Sequence, residues 1–308
     1  MRISSFEAPL AVAWQLTNRC DLACRHCLKE SGPGADVAAE LPLRDVLRIC
    51  REIVDCGVPY AILCGGEPML SPHFWRVAET LGEAGVWLKV ETNGQRLGPA
   101  ASRKLGRLPI RSVQVSLDGA TQEAYEALRP GACLASALEA CRQVRAARMP
   151  LEVSFVPTRA NIREAHAVID AALGLGAFRF NTGTLIRLGR ASGSWEALAP
   201  SEEDREVLRA SLESREGSLA GRMELCFRPF TFEEQARTET AEPSGTLAIL
   251  PDGRVPALSA GGTICADLRS QSLREAWAAY LDAAGVRSRS KISADPCLGS
   301  ATPVLGRD

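Results

Sequence analysis

The chain has no surplus of charge of either sign: 36 Lys and Arg stand against 37 Asp and Glu. A protein whose obligatory partner is nucleic acid or an anionic membrane needs a basic excess, so both partners are excluded. No apolar run reaches bilayer-spanning length, and Met1-Arg2-Ile3-Ser4-Ser5 lacks the long apolar segment of a signal peptide. These absences point to the cytoplasm. There is no low-complexity segment. What the chain does have is cysteine, eleven in 308 residues. An odd, large number in a reducing compartment reads as metal ligation plus buried thiols rather than disulfides. With 46% hydrophobic residues, the chain can bury one large core and a smaller appendage.

Three of these thiols crowd one stretch, Cys20-Asp21-Leu22-Ala23-Cys24-Arg25-His26-Cys27. Such spacing lets all three turn inward on a short loop. A cubane iron–sulfur cluster needs four thiolates for full ligation. Three leave one iron open, which is how a catalytic metal site differs from a structural one. The alternative is zinc, with His26 as a fourth ligand. Zinc pairs are usually closed by a second pair shortly downstream, and none follows here.

Elsewhere the chain alternates. Apolar, β-favouring runs are expected as strands at Leu10–Thr17, Pro59–Cys64, Val86–Glu91, Ser112–Leu117, Leu151–Val156 and Phe178–Leu185. Helical spacing separates them at Leu41–Cys56, His73–Ala84, Ala100–Leu105, Ala135–Arg148 and Ile162–Leu173. Repeated strand–helix units mean an α/β fold with a parallel sheet. A full eight-unit barrel typically needs about 250 residues, and the pattern stops near residue 190. The expectation is therefore an open (β/α)6 partial barrel over residues 1–190 and a small C-terminal hairpin-plus-helix module over 191–308. The module shows a helix start at Ser201, a hairpin from Gly245 to Ala257 turning at Pro251-Asp252-Gly253, and an amphipathic helix from Ser272 to Ala283. The last dozen residues read as loop.

In such sheets chemistry sits at the carboxyl ends of the strands. The cysteine loop, Gly65-Gly66-Glu67-Pro68, Thr92-Asn93-Gly94 and Ser116-Leu117-Asp118-Gly119 each follow an expected strand. Two glycines let a backbone approach a ligand closely, and Glu67 supplies an acceptor. Each motif read alone is an ordinary strand-ending turn.

Together these stretches resemble the radical S-adenosylmethionine (radical SAM) superfamily. The likeness is greatest to the SPASM/twitch branch that contains the PQQ and mycofactocin peptide maturases and the haem-pathway side-chain enzymes. It covers essentially residues 10 to 285, through AVAWQLTNRCDLACRHC, GGEP, VETNG, VSLDG and a hairpin followed by a Leu-X-X-X-Trp helix. The resemblance implies a [4Fe-4S] cluster on Cys20, Cys24 and Cys27, with SAM chelating the open iron. Reductive cleavage of SAM would then yield a 5′-deoxyadenosyl radical that abstracts hydrogen from a substrate carbon. By the same resemblance Gly65, Gly66, Glu67 and Pro68 hold the SAM amino group, and Thr92, Asn93 and Ser116 contact SAM. Asp118 lies near the ribose or substrate, and Arg129 meets the SAM carboxylate. His26 packs near the adenine, or is a solvated loop histidine. Asn161 and the segment Leu185-Ile186-Arg187-Leu188-Gly189-Arg190 are associated with ribose and adenine contacts, against the plainer readings of a helix cap and a loop.

Cys50, Cys56, Cys64, Cys133 and Cys141 are expected as buried free thiols. Cys226, Cys265 and Cys297 fall in the C-terminal third, where a SPASM or twitch module would hold a second Fe–S cluster. Yet Ala257 stands where that module carries a cysteine after the hairpin, and the closing run of cysteines is missing. A second cluster and a degenerate module without metal both remain open. Only nine residues precede the first strand, so no peptide-recognition domain is expected to be fused. A ribosomal peptide is the expected substrate, reached by direct docking or through a separate peptide-recognition protein, with a flavodoxin- or ferredoxin-like electron donor. The competitors are a tetrapyrrole side chain, a small-molecule dehydrogenase or epimerase substrate, and a non-catalytic metal-binding protein. Trp195, Phe227, Phe230 and Phe232 are candidates for an apolar pocket or for core packing.

Overall fold

The apolar run leading into the cysteine loop forms β1 (Ala11–Gln15), whose alternation buries Val12 and Trp14 and turns Ala13 and Gln15 the other way. The computed structural model describes residues 3–227, 230, 231, 234, 245–258 and 261–285. Within it β2 (Tyr60–Cys64), β3 (Trp87–Thr92), β4 (Ile110–Ser116), β5 (Leu151–Phe155) and β6 (Arg179–Thr182) follow, each parallel to its predecessor. Parallel neighbours need long crossovers. These are supplied by α1 (Leu43–Asp55), α2 (Phe74–Glu83), α3 (Pro99–Leu105), α4 (Gln122–Leu128), α5 (Leu134–Ala146) and α6 (Ala165–Gly174). Their inward stripes, such as Val46, Ile49 and Ile53 of α1 and Phe74, Val77 and Leu81 of α2, are wholly or almost wholly buried. One face of the sheet is correspondingly apolar, with Leu88, Val90, Val113, Val115, Leu151 and Val153 inaccessible.

The six expected strand–helix units are thus present, in the expected order. Two more strands lengthen the sheet. After α7 (Arg190–Gly193), α8 (Trp195–Leu198) and α9 (Glu202–Leu219), β7 (Glu224–Cys226) pairs with β6, and β8 (Thr246–Ile249) pairs with β1. The order is β7-β6-β5-β4-β3-β2-β1-β8, open at both edges among the described residues. β7 is too short for periodicity to reveal, and so is α4, which begins at a Thr121 cap.

The expected hairpin is built differently. The chain does turn at Pro251–Gly253, where Leu250 N donates to Arg254 O at 2.9 Å. However, β8 buries Leu247 and Ile249 in register with Val12 and Trp14, so β1 takes its ladder. The antiparallel pair is instead β9 (Arg254–Leu258) with β10 (Gly261–Asp267). α9 starts where Ser201 Oγ accepts from Asp204 N at 3.0 Å. α10 (Leu273–Ala283) opens on a capping box between Ser272 and Glu275 and buries Leu273, Trp277, Tyr280 and Leu281. Cys297, Phe232 and the last dozen residues lie outside the described residues.

Candidate cluster and cofactor site

Cys20, Cys24 and Cys27 line one cleft, together with Gly65, Gly66, Thr92, Asn93, Ser116 and Arg129. The strand ends of the sheet therefore meet around the cysteine loop, as their motifs predicted. The loop is held by backbone from several directions. Arg25 N donates to Leu128 O at 2.8 Å and Cys20 N to Gly32 O at 3.3 Å. From beyond β6, Arg190 N donates to Cys27 O at 3.0 Å, and its Nε reaches Cys24 O at 2.9 Å.

The Gly-Gly turn packs against the start of this loop, backbone on backbone. Gly66 N donates to Thr17 O at 2.7 Å and Glu67 N to Arg19 O at 2.8 Å. A Cβ on Gly65, whose φ is +147°, would stand 2.6 Å from Thr17 O, and one on Gly66 would sit on the Arg19 carbonyl. Glycine is required here by loop-to-loop approach.

Glu67 is fully buried, and its carboxylate accepts from Thr92 Oγ1 at 2.9 and 3.0 Å and from Asn93 N at 2.9 Å. Burial pushes its carboxyl up to about 7 against those hydrogen bonds. Glu67 thus ties the β2 exit to the β3 exit. Asn93 extends the tie, donating from Nδ2 to Asp21 Oδ1 at 2.8 Å and, at 3.7 Å, towards Cys20 Sγ.

A second buried knot serves Cys24. Arg129 Nε donates to Asp118 Oδ2 at 2.7 Å, while Nη1 lies 3.6 Å from Cys24 Sγ. His26 Nε2 stands 3.2 Å from the same Asp118 oxygen. Burial works to raise the Asp118 carboxyl, but Arg129 and then His26 outweigh it and hold the group below the ordinary carboxylate range. Asn161, with no exposure, accepts from Thr158 N at 2.7 Å and donates to the Asp118 and Val156 carbonyls at 2.9 and 3.0 Å.

The candidate residues therefore divide. His26, Gly65, Gly66, Thr92, Asn93, Ser116 and Arg129 line the cleft, whereas Glu67, Pro68, Asp118 and Asn161 are buried behind it. Leu188 is 40% exposed and lines a neighbouring cleft with Asn18, Lys29 and Asp252. The segment from Leu185 to Arg190 reaches the cleft through Ile186 and Arg190, while sequence reading missed Lys29, Glu91 and Gln114 in the cleft wall. Strand alternation would have placed Glu91 and Gln114 beside Ser116, had the register between strands been known. Cys64, expected as a buried thiol, also lines the cleft, and Cys133 is exposed because it stands at the N-cap of α5 rather than on its inward face. Phe227 and Phe230 are buried in the core; Phe230 also borders a separate cleft with Trp195.

The donor set suits a polynuclear iron–sulfur cluster. The three thiols share the wall of one cleft with the exits of β2, β3 and β4, and thiolates are the ligands that hold such clusters. Burial pushes the Cys20 thiol up to about 11 and raises that of Cys24, so ligation must release the protons that these two thiols hold. The C-terminal cysteines are placed differently. Cys226 is on edge strand β7, and Cys265 is on β10 with its Sγ donating to Val255 O at 3.3 Å.

Comparison with known proteins agrees with this geometry. The sequence model of the Radical SAM superfamily matches residues 14–170. The mycofactocin maturase MftC of Mycobacterium ulcerans is 34% identical over 209 residues, 66% of this chain and 54% of that protein. The AdoMet-dependent heme synthase of Methanosarcina barkeri is 30% identical over 66% of this chain and 58% of its own length. The PqqA peptide cyclase of Ruegeria pomeroyi is 29% identical over 88% and 74%. The chain spans about half the length of the MftC proteins it matches. In fold it is similar to Streptococcus suis SuiB bound to S-adenosylmethionine, with a TM-score of 0.70 at 17% identity, covering 88% of this chain and 66% of that one.

Proposed function

Because the chain belongs to the radical SAM superfamily, we propose that it is a radical SAM enzyme that modifies a carbon of a peptide substrate. The observation that carries this reading is the meeting of three thiols with the exits of β2, β3 and β4 in one cleft. Cys20, Cys24 and Cys27 would hold a [4Fe-4S] cluster. When bound, the cluster and SAM supply a one-electron reductive cleavage that ends in removal of a hydrogen atom from the substrate.

The chain's own contribution is orientation and charge. Asn93 and Arg129 approach Cys20 and Cys24 from the β3 exit and from the end of α4, offering N–H donors that favour thiolate over thiol. Asp118 keeps Arg129 in place, and His26 reaches Asp118 from inside the loop, so cysteine loop and sheet are fixed as one body. Glu67 and the two glycines bring the β2 exit against the loop.

The peptide substrate is favoured by the likeness to a peptide cyclase over most of the chain. The likeness to a heme synthase supports a tetrapyrrole as the second reading. A small electron carrier and a separate peptide-recognition protein would be the partners, in a reducing cytoplasm that spares the thiols. Among the described residues no helix is long and apolar enough to cross a membrane.

Anaerobic reconstitution with iron and sulfide, then dithionite and SAM, tests the proposal. The expected result is a brown four-iron protein that forms 5′-deoxyadenosine and methionine. A colourless protein that leaves SAM intact would overturn it. Adding a candidate precursor peptide or a tetrapyrrole and following mass change separates the two substrates.

A further inference from the structure

The face of the sheet away from the helices is polar. Strand register aligns Glu91, Gln114, Glu152, Arg179 and Glu224 in one row across five strands, because paired residues of neighbouring parallel strands share a face. In a filled barrel the corresponding positions carry bulky branched side chains that pack the lumen. Here they carry charges and amides, so this interior is built to face something other than itself.

Within the row the groups are unequally committed. Lys89 Nζ, from the layer beneath, donates to Gln114 Oε1 at 2.9 Å and Glu152 Oε2 at 3.0 Å. Asn181 Nδ2 donates to the same two acceptors at 3.0 and 2.8 Å. Glu152 is 2% exposed, with both donors on its Oε2 and Arg179 Nη1 at 3.8 Å from its Oε1. Arg179 is taken by Glu224 at 2.8 Å. Glu91 remains, with Lys89 Nζ at 3.6 Å and no hydrogen bond among the described residues. Its side chain is 36% exposed and lines the cysteine cleft beside Gln114 and Ser116. Since Gln114 spends its oxygen on Lys89 and Asn181, its Nε2 is the atom left over. One lysine between two glutamates leaves this part of the floor with one negative charge in excess. Of the cleft's other cations, Arg129 is neutralised by Asp118, Arg190 donates to the Cys24 and Ser31 carbonyls, and Lys29 of the cysteine loop stands near Cys64, on the face that Glu91 shares. A further polar atom points to an absent ligand. The His26 side chain is 9% exposed in the same cleft, and its Nδ1 is buried without a partner among the described residues.

We propose that Glu91, steadied by Lys89 and flanked by Gln114, selects the substrate, and that it selects a peptide carrying a cationic side chain, ammonium or guanidinium. This inference rests on the peptide reading above. A carboxylate with free lone pairs beside an unpaired amide N–H, in the wall of a cleft shared with the cluster thiols, would orient such a side chain while the peptide carbon faces the cleft.

The test uses cluster-loaded protein with SAM and no reductant, so that binding is read without turnover. The probes are the tripeptides N-acetyl-Gly-Lys-Gly-amide, N-acetyl-Gly-Arg-Gly-amide and N-acetyl-Gly-norleucine-Gly-amide, titrated by NMR line broadening. Wild type should bind the Lys or the Arg probe about tenfold more tightly than the neutral one, and the preferred cation identifies ammonium or guanidinium. Glu91→Gln should erase that margin, and Glu91→Lys should transfer the preference to N-acetyl-Gly-Glu-Gly-amide. Unaltered iron content and melting temperature mark the variants as folded, and the wild-type contrast decides the matter without them. Equal affinity of wild type for charged and neutral probes, or a margin that survives Glu91→Gln, would overturn the inference. Formation of 5′-deoxyadenosine by the wild type with dithionite is scored separately: its presence leaves the proposed function standing even if the probes show no preference, and its absence strikes that function instead.

Discussion

The two cysteine-bearing regions of this chain are built on opposite plans. The loop of Cys20, Cys24 and Cys27 has little regular structure, yet it is fastened to the exits of several strands and to the residues after β6. Cys226 and Cys265 sit on regular strands, one at an edge of the large sheet and the other in the two-stranded sheet. The difference teaches that a metal-binding loop is recognised less by its thiols than by what the rest of the fold does to hold them. In the first region two buried polar knots, one around Glu67 and one around Asp118, reach the cysteines. The second region has no such support among the described residues.

Removing ligands from each region should break the comparison most visibly. Cys20→Ala, Cys24→Ala or Cys27→Ala should abolish bound iron and SAM cleavage, while Cys226→Ala and Cys265→Ala should leave the iron per chain unchanged, as measured after anaerobic reconstitution. Loss of iron on changing Cys226 would give the second region a cluster of its own.

Next in size is Asp118→Asn, which leaves the Arg129 guanidinium buried with its partner gone. Breaking a buried pair from one side costs about 3–5 kcal/mol, to be read as a lowered denaturant midpoint of the apo protein. Gly66→Ala probes the contact between the two loops. Its methyl would collide with the Arg19 carbonyl, so the turn must move, at about 1–3 kcal/mol, and iron retention should fall with it.

A comparable effect concerns pH. Burial raises the Glu67 carboxyl to about 7, so the native state keeps a proton there that the unfolded chain releases near its ordinary value of 4.5. The native state therefore binds more protons between those values, and stability must decline as pH rises through that window and level off above it. Chemical denaturation of the apo protein from pH 4.5 to 8 should show this decline, by up to about 3 kcal/mol, and Glu67→Gln should flatten it. A wild-type profile rising over that interval would contradict the assignment.

Much of the fold was legible because its signals are local. Alternation in LAVAWQLT, PYAILC and their successors, with helical stripes between them, calls for parallel strands with crossover helices whatever the rest of the chain does. The spacing of Cys20, Cys24 and Cys27 likewise announces ligands that share a loop. Which cofactor candidates reach the cleft was not legible. Glu67 and Asp118 carry the charges that chemistry would use, but both are spent on neighbours far away in sequence, Thr92 and Asn93 for one and Arg129 and Val156 for the other. Strand β8 was read as a hairpin arm because its turn is local and its true partner, β1, lies more than 230 residues upstream.

The sequence by itself determined the strand–helix order, the three clustered thiols and the glycines beside them, because each depends on periodicity or spacing within a few residues. Tertiary structure alone decided which polar groups line the cleft and which are buried as its supports. That choice depends on the register between strands, and register is a property of pairs of segments that no single segment encodes.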